Sequence, residues 1–349
     1  MAIISKSQVA LSLDSRILEL ILLPTEKCNF RCTYCYEDFA LGKMPASVTD
    51  GVKNLIQRRS DSVRLLKLSW FGGEPLLALD TIFDIAGFAQ EACVASGSLM
   101  TGGLTTNGYL LNEKVSRRLA QLNHRSFQIT LDGDREEHDR TRLRADGRGT
   151  FDRIWSNLRL LGEMDDPFDV TLRIHVSASN QDSVRRLLDR INEQLAPYGK
   201  FRIHFHRISD LGGSGGKTVT ELTWGAYKKI LGDLTGRSSV EASSEAALSE
   251  AGEICYAAKT NSLLIRADGR VGKCTVALYD PRNDVGTLAQ DGTIQFHDDR
   301  LRLWFEGFRN FDPDTLGCPL ATLPRLDERV KGARVPLQLA LVGGNGDGA

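Results

Sequence analysis

Along the first 210 residues of this chain, six apolar, β-rich segments alternate with five segments of helical period, and this alternation restricts the fold more than any other feature. The strand-like segments are 16–23, 65–71, 99–105, 126–131, 171–177 and 201–208, and the helix-like ones are 48–59, 79–96, 112–122, 150–164 and 181–195. Asn112 and Asn180 sit where helix N-caps are needed, because their side-chain oxygens accept from the first free amides. Strands separated by helices pair in parallel through right-handed crossovers. A sixth helix is expected at 224–234. Six units fall short of the eight that close a barrel, so the sequence predicts an α/β fold with a partial, open (β/α)6 TIM-like barrel. Such folds place their chemistry at the C-terminal ends of the strands.

Composition sets outer bounds. The formal net charge is -1 over 349 residues, which gives no reason to expect nucleic acid or an anionic membrane as partner. No apolar run approaches membrane-spanning length, and Met1 to Ser12 lacks the basic start and apolar centre of a signal peptide, so a cytoplasmic protein is expected. Seven cysteines cannot all pair, and three of them fall within eight residues, which favours metal ligation over disulfides.

Those three are Cys28, Cys32 and Cys35, in a Cys-x3-Cys-x2-Cys loop after the first strand. Three soft thiolates suit three corners of an iron–sulfur cube and leave one iron open, which is a catalytic arrangement. A zinc knuckle is the alternative, but structural zinc closes with four ligands and the loop supplies three. Further polar groups gather at later strand ends: Gly72-Gly73-Glu74 after the second, Thr106-Asn107-Gly108 after the third, and Thr130-Leu131-Asp132-Gly133 after the fourth, followed by Arg142. Glycines let backbone approach a ligand, and a guanidinium matches a carboxylate bidentately. On the fifth and sixth strands, Ser177 ends a polar run, and His204 and His206 share one face while Phe205 takes the other. The two imidazoles are read either as proton carriers lining a substrate cavity or as a satisfied pair.

The cysteine loop with Tyr34 before its last cysteine, followed by these strand ends, resembles the signature of the radical S-adenosylmethionine (SAM) superfamily over residues 14–210. The resemblance implies a 4Fe–4S cluster on Cys28, Cys32 and Cys35 whose open iron chelates SAM, and reductive cleavage of SAM to a 5′-deoxyadenosyl radical. It also implies a SAM pocket: Tyr34 beside the adenine, Gly72, Gly73 and Glu74 at the amino group, Asn107, Thr130 and Arg142 toward ribose and carboxylate, and Ser177 facing the nucleotide. The run Gly133 to Arg142 and the entry Gly149-Thr150-Phe151 resemble the branch that modifies peptides and proteins, the sulfatase maturases and the maturases of ribosomally made peptides.

Around residue 211 the pattern changes. Residues 211–216 read as a flexible connector and 238–253 as a helical surface stretch, within a 211–254 segment of linker and helices. Then 262–266 and 270–273 flank an Asp268-Gly269 turn and read as a hairpin. Cys255, Cys274 and Cys318 resemble part of the SPASM or twitch pattern, a small α+β domain holding auxiliary clusters, placed here at 255–335. Thr315 and Pro324 stand where a full SPASM domain has cysteines, leaving ligands for one auxiliary 4Fe–4S cluster at most. Residues 1–13 form an N-terminal segment, the tail 336–349 reads as frayed, and Cys93 lies on an apolar helical stripe and reads as core. The resemblance implies hydrogen abstraction from a ribosomally made precursor peptide, forming a cyclophane or thioether crosslink, with a reductant such as flavodoxin or ferredoxin as second partner. Formylglycine formation in a sulfatase is the alternative within the enzymes, and a non-catalytic iron–sulfur or zinc protein the alternative outside them.

Overall fold

The computed structural model describes residues 4–211 and 220–324. The connector at 212–216, the tail and residues 325–335 of the expected C-terminal domain lie outside the described residues. In chain order the strands are β1 (Ile17–Leu22), β2 (Phe30–Cys32), β3 (Leu65–Trp70), β4 (Leu99–Thr106), β5 (His124–Leu131), β6 (Arg142–Arg144) and β7 (Asp169–Val176). They continue with β8 (Phe201–Arg207), β9 (Ala242–Ser244), β10 (Ser262–Ile265), β11 (Arg270–Gly272), β12 (Gly286–Leu288) and β13 (Ile294–Phe296). The longer helices are α1 (Lys6–Leu13), α2 (Ala46–Arg59), α3 (Leu79–Ser96), α4 (Glu113–Gln121), α5 (Arg135–Thr141), α6 (Phe151–Glu163), α7 (Gln181–Gln194), α8 (Trp224–Arg237) and α9 (Glu245–Glu250).

Eleven strands form one open sheet, ordered β13-β12-β11-β10-β1-β3-β4-β5-β7-β8-β9. The six expected strands run parallel in its centre. Two more parallel strands flank them. β9 pairs with β8, so the stretch read as wholly helical holds a strand before α9. β10 pairs with β1 in the register Glu19↔Ser262 to Leu22↔Ile265, which makes the expected hairpin of β10 and β11 an extension of the main sheet. Gly269 takes φ +87° in its turn, a conformation an L side chain resists.

Parallel strands covered on both faces usually read as unbroken apolar runs, whereas the central strands here alternate. In β3, Leu66, Leu68 and Trp70 are buried under the helices while Lys67 and Ser69 take the other face. In β7, Val170, Leu172 and Ile174 are buried in the same way, and Thr171 and Arg173 alternate with them. α3 covers its part of the sheet with Ile82, Ile85, Ala86, Ala89 and Cys93, the spacing of one helical face, so Cys93 is core. The polar sheet face is thereby left to line a cavity.

His124 shows how tightly the apolar layer is filled. Its Nδ1 lies 2.6 Å from the Leu122 carbonyl, and a Cβ on Gly102 would come within 2.2 Å of the ring, so only glycine fits opposite. Burial pushes the imidazole down to about 4, and it stays neutral in the fold. A depressed histidine contributes stability that is complete above its unfolded value of 6.5 and is lost as pH falls toward the folded value. Relative to His124→Asn, which keeps a donor near the Leu122 oxygen, the wild type is expected to lose about 2 kcal/mol between pH 6.5 and 5. Urea unfolding of both proteins across that range measures the difference, and parallel curves would disprove it.

Candidate functional site

The polar face opens into a solvent-connected cavity at the C-terminal ends of the central strands. Cys28, Cys32 and Cys35 enter from the loop between β1 and α2, Gly72 and Gly73 follow β3, Asn107 follows β4, and Thr130 stands on β5.

Backbone contacts hold the cysteine loop. Gly72 has φ +104°, and a Cβ there would lie 2.4 Å from the Thr25 carbonyl. A Cβ on Gly73 would lie 2.5 Å from the Lys27 carbonyl. The two glycines thus let the end of β3 rest directly on residues 25–27. Glu74, fully buried, donates its backbone N–H to the Lys27 carbonyl at 2.9 Å. Its Oε1 accepts from Leu76 N–H at 3.0 Å and Thr106 Oγ1 at 2.7 Å, and its Oε2 from Asn107 N–H at 2.7 Å. Asn107 Nδ2 in turn donates to Asn29 Oδ1 at 2.8 Å, tying the ends of β3 and β4 to the loop.

Arg142 is buried, donates to the Tyr34 hydroxyl at 2.7 Å and lies over the Phe30 ring at 5.9 Å. Tyr34 donates to Asp132 Oδ1 at 2.9 Å, and Thr141 Oγ1 donates to Asp132 Oδ2 at 2.6 Å. Burial raises Asp132, but the neighbouring His175, 3.2 Å away, and the charge of Arg142 outweigh it and hold the carboxyl well below the usual range. The Arg142 Nε is buried with no partner among the described residues, a donor left for a ligand to meet.

The thiols carry their protons as they stand. Burial, then the Glu74 charge, raises Cys28; burial, partly offset by Arg142, raises Cys32; and burial pushes Cys35 up to about 12. A metal must displace those protons, and soft iron does so readily. Among the described residues no three His, Cys, Asp or Glu side chains converge closely enough for a single ion. Structural zinc closes with four ligands and the loop supplies three, whereas a four-iron cube takes three thiolates and leaves one iron open. The donor set fits the cube.

Of the residues expected around SAM, Ser177 and the fully buried Glu74 do not line this cavity. Ser177 lines a neighbouring cleft with Asp132 and Asn180, and its Oγ lies 3.3 Å from Ser179 Oγ. Alternation along the strands delivers lining groups not singled out from the sequence: Gln128 on β5, and Arg173 and His175 on β7. Glu37 also faces the space, and burial pushes it up to about 8, so it is protonated at neutral pH. His206 lines the cavity with Nδ1 2.6 Å from Glu245 Oε2, whereas His204 turns to Ser243 Oγ at 3.1 Å.

Across the sheet, the Cys255 N–H donates to the Leu316 carbonyl at 2.8 Å, and the Cys274 N–H to Asn283 Oδ1 at 2.9 Å. Cys274 and Cys318 lie close enough to Cys255 to act on its ionisation; burial is the larger effect and pushes Cys255 up to about 11. Thr275 and Val276, just after Cys274, line the main cavity.

Residues 22–191 match the sequence model of the Radical SAM superfamily. The chain is 24% identical over 173 residues to a cysteine-type anaerobic sulfatase-maturating enzyme of Clostridium novyi (strain NT), covering 46% of this chain and 45% of that one. It is 28% identical over 192 residues to the sporulation killing factor maturation protein SkfB of Bacillus subtilis (strain 168), covering 54% and 42%. Each match therefore spans less than half of the curated relative. The solved structure of native anSMEcpe with bound AdoMet shares the fold at a TM-score of 0.63 and 18% identity, covering 83% of this chain and 84% of that one. No described helix is long and apolar enough to cross a membrane.

Proposed function

We propose, from the premise that residues 22–191 form a radical SAM domain, that this protein reductively cleaves SAM and abstracts hydrogen from a ribosomally made precursor peptide. One observation carries the reading: three thiols of one loop and the unmet donor of Arg142 face a single cavity at the strand ends. When bound, a 4Fe–4S cluster with one open iron supplies the electron that splits SAM into methionine and a 5′-deoxyadenosyl radical.

The chain's own residues do the rest. Cys28, Cys32 and Cys35 hold three irons. Arg142 and Thr130 take the SAM carboxylate, since a guanidinium and a hydroxyl donate to it together. Glu74 is assigned to the SAM ammonium by the family resemblance; in the structure it is fully buried, and its bonds fix the Gly72-Gly73 turn and Asn107. Tyr34, locked between Arg142 and Asp132, offers a fixed ring edge to the adenine. Cys255, Cys274 and Cys318 would hold one auxiliary cluster, able when bound to accept the electron released as the crosslink closes, and His206, oriented by Glu245, would take the accompanying proton. A flavodoxin or ferredoxin supplies the electron, in the cytoplasm.

The product in this reading is an intramolecular crosslink, a cyclophane or thioether. The likeness to the sulfatase-maturating enzyme favours formylglycine formation as a second reading, and the absence of cysteine at Thr315 and Pro324 separates this chain from the full SPASM pattern. Anaerobic reconstitution with iron and sulfide, reduction, and detection of 5′-deoxyadenosine test the reading. Release of the nucleoside is expected with about eight irons per chain; about four irons would remove the auxiliary cluster, and no nucleoside at all would end the proposal.

A further inference from the structure

Among the described residues, two guanidinium groups of the cavity have no carboxylate: Arg142, assigned above to the SAM carboxylate, and Arg173. Arg207 pairs with Glu221 at 3.0 Å and His206 with Glu245 at 2.6 Å, whereas Arg142 bonds the Tyr34 hydroxyl. Glu245, the carboxylate whose field reaches Arg173, is already taken by His206 and by the Arg207 backbone N–H. Among the described residues, Arg173 has one hydrogen bond, from its Nε to His175 Nε2 at 3.3 Å, and no ion pair. The register Thr130↔Arg173↔His204 sets it on the cavity-facing row of the sheet.

That single bond fixes a direction. His175 Nδ1 lies 3.2 Å from Asp132 Oδ1, and burial lowers the imidazole to about 4, so it is neutral. A guanidinium Nε can only donate, so His175 accepts at Nε2, and the neutral ring carries its proton on Nδ1, the atom nearest Asp132. Asp132, His175 and Arg173 therefore form a chain that spends the inner donor of the guanidinium. Its two terminal nitrogens remain as a fork. A sheltered guanidinium without an anion is costly, and a fork of parallel N–H groups matches a carboxylate better than any other common biological group.

We propose that Arg173, held by His175, anchors a carboxylate side chain of the peptide substrate beside the bound nucleotide, so the enzyme selects an acidic peptide segment. The inference rests on the reading of this cavity as the site of a radical SAM reaction on a peptide. The carboxylate of SAM has the same chemistry, and the experiment separates the two sources.

The probes are two peptide pools with the same randomised flanks, one with Asp or Glu at a fixed central position and the other with Asn or Gln. Binding to the SAM-loaded, cluster-reconstituted enzyme is read by fluorescence anisotropy. The wild type is expected to prefer the acidic pool by about tenfold or more, and Arg173→Gln to bind both pools alike. SAM affinity, from equilibrium dialysis, is expected to stay within about twofold in the variant, as the differing sources of carboxylate require. Arg173→Lys keeps the charge and loses the fork; it is expected to retain only part of the preference and serves if the glutamine variant misfolds. No preference in the wild type, or a preference that survives in both variants, overturns the proposal. A fall in SAM affinity matching the loss of peptide preference also overturns it and moves the arginine to the SAM carboxylate. Peptide-free 5′-deoxyadenosine release, followed in parallel, reports separately on the proposed reaction.

Discussion

Cys32→Ala is expected to reduce 5′-deoxyadenosine formation to the level of a protein-free control while leaving the chain folded. The loop supplies three thiolates and no spare ligand, so the loss of one leaves a cube that cannot present a single open iron. Structurally the side chain does little. It is half-buried, its thiol is protonated, and its removal deletes one sulfur from the edge of the core, worth about 1 kcal/mol. Cys93→Ala should give the opposite signature. That sulfur lies in the apolar layer under α3, 6% exposed, so its loss lowers stability by ~1–2 kcal/mol and leaves nucleoside formation intact. Thermal melts and chromatographic assay of both variants decide the matter; a Cys32→Ala protein that still releases the nucleoside at the wild-type rate refutes the cluster assignment.

The second large effect is one of stability. Glu26, just before the cysteine loop, forms a two-pronged pair with Arg266 at the end of β10, at 2.9 and 2.6 Å, with both side chains buried. The Arg266 guanidinium also donates to the Leu278 carbonyl at 2.7 Å. Glu26→Gln strands the arginine charge away from water and is expected to cost about 3–5 kcal/mol. Replacing both partners by apolar residues, as in Glu26→Leu with Arg266→Met, should recover most of that loss, because the pair's attraction only balances its desolvation. Urea denaturation measures the two terms. If the single variant is as stable as the wild type, the pair is not closed to water.

Much of this was legible in the order of residues, for identifiable reasons. Strand and helix periods of 2 and 3.6 were sustained over long segments, so the six central strands and their helices could be placed from pattern alone. β9 and β10 were not expected as parallel strands of the main sheet. Ala242–Ser244 is too short to show a period, and Ser262–Ile265 is buried throughout, so neither reveals its neighbour. α1 did carry a signal, since Ser5 and Gln8 form a reciprocal capping box at its start, but its weak amphipathicity hid it. At the site, the cysteine loop, Asn107, Thr130 and Arg142 reach one cavity. The polar chain from Asp132 through His175 to Arg173 was out of reach, because it depends on the register of β5 against β7. Ser177 illustrates the same limit: one residue beyond the last residue of β7, it faces a different cleft.

The place of β1 has a consequence for how the molecule comes into being. Its two neighbours are β3, met about forty residues later, and β10, met only after some two hundred and forty. Until that distant partner has left the ribosome, one flank of the first strand stays unpaired and the carboxylate of Glu26 waits without its counter-ion. Iron delivered to a nascent chain would meet a loop already braced by β3 and β4 but lacking its Glu26–Arg266 anchor, so its last support arrives only with the final third of the chain.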